Sequence, residues 1–126
     1  MARRFVFAWL VTGLALAQQK PPDPPEPPEE EESSKPKEYS FNPLQASKEL
    51  KIGQFYFKKG KYSAAANRFE EATKWDPTSA EAFLRLGEAR EKLKDAAAAK
   101  AAYQKYLELA PDARNAAAIR KKIGRN

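Results

Sequence analysis

The chain contains no cysteine and no histidine. Without cysteine there is no disulfide, no thiolate nucleophile, no Cys-ligated zinc or iron–sulfur cluster and no lipid-modified cysteine. Without histidine there is no Ser-His-Asp triad, no imidazole base and no His-anchored metal site. The carboxylates fall on helix surfaces or in a proline-rich stretch, and no nucleophile has a base beside it. No enzyme activity and no cofactor or metal are therefore expected. At 126 residues the chain has room for one small domain.

What is present divides into three segments of unlike charge. Residues 1–17 carry only Arg3 and Arg4. Residues 18–43 carry three lysines against seven acids, a charge of −4. Residues 44–126 carry 18 Lys and Arg against 10 acids, a charge of +8. The basic part invites an anionic partner. Lys and Glu are nevertheless intermixed along it, as on an ordinary solvated surface.

The first segment reads as a cleaved signal peptide. Met-Ala-Arg-Arg precedes an apolar run from Phe5 to Ala17, too short at about 1.5 Å per residue to span a ~30 Å hydrocarbon core. Ala15-Leu16-Ala17 places small residues where a signal peptidase reads them, so cleavage is expected after Ala17. The expected location is a bacterial periplasm or the exterior, with the Sec and Tat routes both open.

Residues 18–43 hold eight of the ten prolines, with Glu29 to Glu32 in a row. The composition predicts a solvated linker in polyproline II, extended by like-charge repulsion and disordered in the sense of having no packed core. Tyr39 and Phe41 are its only aromatics and are candidates to strap onto the domain that follows.

From residue 44 the chain repeats itself at an offset of 34: Gly53 with Gly87, Ala65 with Ala99, Phe69 with Tyr103, and Pro77 with Pro111. The pattern predicts helix pairs over 44–59 and 63–75, then over 79–93 and 95–110, and a last helix over 113–123. Asn42-Pro43 reads as an N-cap followed by proline at the first helical position, with Gln45 placed to close a capping box. Thr78 to Glu81 reads as another capping box, and Asp95 and Asp112 as caps. Gly60 offers the left-handed residue that ends a helix.

These residues resemble the tetratricopeptide repeat (TPR) family, whose unit is about 34 residues with a Trp, Leu-Gly, Tyr, Ala, Phe, Ala, Pro pattern. Ile52, Gly53, Tyr56, Ala65, Phe69, Ala72 and Pro77 fall on that pattern in one unit. Phe83, Leu86, Gly87, Ala99, Tyr103 and Pro111 do so in the other. Glu49 stands where Trp is usual, Arg90 where Tyr is usual and Tyr106 where the second Ala is usual. The resemblance implies an all-α superhelix of two TPR hairpins, about 46–79 and 80–113, closed by a capping helix. Within the first unit, Phe55 to Phe69 is similar to one repeat of the BamD family of outer-membrane β-barrel assembly lipoproteins. That likeness is confined to a single repeat.

In such stacks the first helix of each unit lines the concave face. By register, Ser47, Leu50, Gln54, Phe57 and Lys58 face inward from one unit. Glu81, Leu84, Glu88, Glu91 and Lys92 face inward from the other. Leu50, Phe57 and Leu84 form an expected apolar stripe for a bound peptide or helix, unless the linker or the last helix covers it. Chaperone-binding relatives grip a terminal carboxylate with Lys and Asn on this face; Leu50 and Gln54 stand there instead, so that clamp is not carried over. The last helix puts Ala116, Ile119 and Ile123 on one side and basic residues on the other, as a capping helix does. It has no interleaved aromatic to stack a base, which argues against nucleic acid. Two repeats fall below the usual three, so self-association or a larger partner is expected to add stability. Membrane contact is expected only through a complex.

Overall fold

The computed structural model describes residues 22–25 and 37–124. The expected signal peptide and the Glu29–Glu32 run lie outside the described residues. The rest is all-α among the described residues: α1 is Pro43–Lys58, α2 Tyr62–Trp75, α3 Ala80–Lys92, α4 Ala96–Leu109 and α5 Ala116–Ile123. None of these helices is long and apolar enough to cross a membrane.

Local side-chain caps start α1, α3 and α4. The Asn42 side chain accepts from the Gln45 N–H at 3.0 Å, with Pro43 at the first position. Gln45 does not complete the expected box. Its amide donates to Glu49 at 3.1 Å, and the Asn42 N–H donates instead to the Trp75 carbonyl at 2.9 Å. α3 is capped by Ser79, which accepts from Ala82 N–H, while Thr78 turns its hydroxyl to Asp76. The expected Thr78–Glu81 box is therefore not formed. Asp95 caps α4 as expected, accepting from Ala98 N–H at 3.2 Å.

The last helix departs most from expectation. It starts at Ala116, three residues late, and Asp112 does not cap it. Asn115 holds the N-cap position, but its side-chain oxygen accepts the Tyr106 hydroxyl rather than a helix N–H. Tyr106 is the bulky residue in a slot where the repeat pattern has alanine. Its hydroxyl takes the capping oxygen of Asn115.

α1 packs on α2, α2 on α3, α3 on α4, and α5 on α4. The close crossings come from glycine. A Cβ on Gly53 would sit 2.5 Å from the Phe69 ring, and one on Gly87 would sit 2.7 Å from the Tyr103 ring. The two hairpins thus bury the same ring-on-glycine contact, one repeat apart. One apolar cluster joins α1, α2 and α3; a second joins α4 and α5, with Phe83 and Leu84 of α3 packed against it.

Glu49, in the slot where Trp is usual, is only 2% exposed and Arg68 9%. They form a buried ion pair at 3.2 Å between α1 and α2. Isolating either charge there would be costly. Arg90, in a Tyr slot, reaches the Ala98 carbonyl at 3.5 Å and Glu70 of α2 at 3.7 Å.

The described end of the linker does strap onto the domain. Tyr39 donates to Glu71 at 2.8 Å and meets the Trp75 ring edge-on at 4.9 Å, and Lys37 pairs with Glu71 at 3.5 Å. Phe41 takes no part and is 68% exposed.

Candidate protein-docking surface

α1 and α3 lie on the same side of the stack. The Gln54 amide of α1 reaches Glu81 of α3 at 3.4 Å. Between them is a hollow of about 250 Å³ lined by Gln54, Phe57, Lys58, Phe69, Arg85 and Glu88. Phe57 and Glu88 are shared with a hollow of about 480 Å³, which continues to Glu91, Lys92, Lys94 and Lys122. The two make a continuous groove from α1 past the end of α3 to α5.

Of the residues expected inward, Gln54, Phe57, Lys58, Glu88, Glu91 and Lys92 line this groove. Leu50 does not. It is 9% exposed and belongs to the first core cluster, so the apolar stripe expected through it is interrupted. Leu84 is half-buried against the second cluster and lines neither hollow. Phe57 is the accessible apolar side chain of the groove, half-buried and edge-on to Tyr62 at 5.1 Å, while Phe69 lines it from the core. The Tyr39 strap lies on α2 rather than in the groove.

The groove is less acidic than the residue count suggests, because its carboxylates are occupied. Arg85 pairs with Glu88 at 3.3 Å and Glu81 at 3.8 Å. Glu91 accepts the Tyr103 hydroxyl at 2.5 Å and pairs with Lys122 at 3.2 Å. Partial burial pushes the Glu91 carboxyl up, but the Tyr103 hydroxyl and Lys122 outweigh it and hold the group below its ordinary value. Burial first, and then the bond to Glu91, push the Tyr103 hydroxyl up, so it stays protonated and donates.

Register counting missed Arg85. Its buried Nε has no hydrogen-bond partner, and it lies one turn from both Glu81 and Glu88, a spacing visible in the sequence. It also missed Lys94 and Lys122, which come from the α3–α4 turn and from α5. Nothing in the local sequence brings those two together. The described residues include no cluster of acids able to hold a metal ion. The arrangement offers polar and charged side chains around Phe57, with the buried Phe69 beneath, suited to gripping a polypeptide.

Residues 53–94 match the family model described as TPR repeat, and residues 81–113 match the one described as tetratricopeptide repeat. Among solved structures, the chain is similar to the first TPR of Spaghetti (RPAP3) bound to the HSP90 peptide SRMEEVD. The identity is 23%, over 67% of this chain and 94% of that one, with a TM-score of 0.35. No curated protein matches the chain by sequence.

Proposed function

From a stack of tetratricopeptide-type repeats, we propose that the chain is an exported, non-enzymatic docking module that holds a peptide or protein in the α1–α3 groove. The observation that carries this is the continuity of the two hollows through Phe57 and Glu88. Arg85 adds a guanidinium whose Nε has no hydrogen bond, only the longer 3.8 Å ion pair to Glu81, so a ligand carbonyl or carboxylate could take that donor. The signal-like residues 1–17 support export, and the linker then spaces the module from whatever its N-terminal side joins. A narrower reading, an accessory of outer-membrane protein assembly, rests on the run from Phe55 to Phe69.

The test is a pull-down from the cell envelope with the full chain, beside a Gln54→Arg, Glu88→Arg variant. Neither residue belongs to an apolar cluster, so the variant is expected to fold, which its melting curve checks, and to lose the captured partner. Equal capture by both proteins would remove the groove from the reading. Sequencing the N-terminus of the purified protein tests export: a start at Gln18 supports it, and a start at Met1 or Ala2 opposes it. Recovery of β-barrel assembly components with the wild-type chain alone would select the narrower reading.

A further inference from the structure

A larger hollow, of about 660 Å³, adjoins the end of the groove at Glu91, Lys94 and Lys122 and lies between the α3–α4 turn, α4 and α5. Ala96, Ala118 and Ile123 give it an accessible apolar lining, above Ala99 and Tyr103, which are buried. Lys94, Lys100, Lys121 and Lys122 stand around it, against a single acid, Glu91. Glu91 is occupied by Tyr103 and Lys122. Among the described residues no ion pair reaches Lys94, Lys100 or Lys121, so three cations flank the cleft without an ion-pair partner.

The backbone adds an independent sign. Lys94 is held at φ 62, in the left-handed region. One repeat earlier the same turn position is Gly60, at φ 75. Glycine takes that conformation freely and lysine does not. The second turn therefore keeps a strained lysine where the first shows that glycine serves. Residues held in this way gather at ligand sites.

We propose that this cleft is a second binding site, for an acidic peptide segment that carries one apolar side chain. Its carboxylates meet Lys94, Lys100 and Lys121, and the apolar group rests on Ala96, Ala118 and Ile123. Nucleic acid fits less well. Glu91 interrupts the basic rim along which a row of phosphates would run, and the cleft has no arginine and no exposed ring to stack a base. The cleft shares Glu91, Lys94 and Lys122 with the far end of the α1–α3 groove, but it needs none of Gln54, Arg85 or Glu88.

The probe is a fluorescein-labelled peptide of glutamates around a central leucine, titrated by anisotropy against the full chain at low salt. Lys100→Glu with Lys121→Glu, both outside the buried core, weakens binding by about tenfold or more. Glu88→Gln leaves it unchanged, which separates this site from the groove. Replacing the probe's leucine by serine weakens it several-fold. Lys94→Gly gives effects of opposite sign: the melting temperature rises by about 3 °C while the probe binds less well. The proposal is overturned if the wild type does not bind, if the charge-reversed variant binds equally, or if Lys94→Gly lowers the melting temperature. It is also overturned if a DNA duplex or an anionic vesicle binds more tightly and with the same dependence on these lysines. Binding that appears only after Glu29, Glu30, Glu31 and Glu32 are changed to glutamine would give the cleft to the chain's own acidic segment, and the partner assignment would fall.

Discussion

In the first hairpin a phenylalanine ring lies on Gly53; in the second a tyrosine ring lies on Gly87, with the hydroxyl carried on to Glu91 and α5. Between α1 and α2 sit Glu49 and Arg68, buried and paired; one repeat later the same two slots hold Phe83 and Ala102. The first turn uses Gly60 in the left-handed region, the second Lys94. The backbone scaffold repeats while the chemistry hung on it does not. The shared part is what stacking helices require: a small residue under a ring, and apolar faces in step. The parts that differ are free to serve a docking surface or a cap.

The strongest way to break this comparison is at the buried pair. Arg68→Ala takes the ion-pair partner from buried Glu49, leaving it the Gln45 amide, and should cost about 3–5 kcal/mol. Adding Glu49→Phe transplants the second hairpin's solution into the first and should recover most of that loss. Urea unfolding of both variants checks it; no recovery in the double variant would mean that the two hairpins differ in backbone as well.

The glycines come next. Gly53→Ala and Gly87→Ala each drive a methyl into a ring wedged between helices, at about 1–3 kcal/mol. Similar losses in thermal melts would confirm that the two crossings are equivalent.

Tyr103→Phe removes a hydroxyl whose counterpart the first hairpin lacks, and should cost about 1 kcal/mol at neutral pH. The effect depends on acid. The folded-state pKa of Glu91 is lowered, so its contribution is present above the ordinary carboxylate value and disappears as pH falls through the lowered one. Stability curves of wild type and variant should therefore converge in acid. Parallel curves would remove Glu91 from the contact.

The smallest effect is at the turns. Gly60→Lys gives the first turn the strain of the second and should cost about 1 kcal/mol, read as a lower urea midpoint.

Much of the fold was legible because its signals are periodic. The offset of 34 and the Gly, Ala and aromatic slots set α1 to α4 to within a residue at each end. What escaped was non-local. Glu49 in a Trp slot was visible as an oddity, but its partner Arg68 is on the facing helix. The late start of α5 depends on a hydroxyl from Tyr106 claiming Asn115. Leu50 fell on the expected inner face by register, yet the crossing of α1 with its neighbours turns it into the core. The groove drew Gln54, Phe57 and Glu88 from the pattern, but Lys94 and Lys122 only from the way the stack closes.

The strap at residues 37–42 has a mechanical consequence. Tyr39 and Lys37 hold the side chain of Glu71, and the Asn42 N–H holds the carbonyl of Trp75, so the chain enters the domain by way of the far end of α2. Tension arriving from the N-terminal side is taken up by these bonds together before it reaches the first turn of α1. Because these bonds lie on α2, load entering there leaves the α1–α3 groove uncovered.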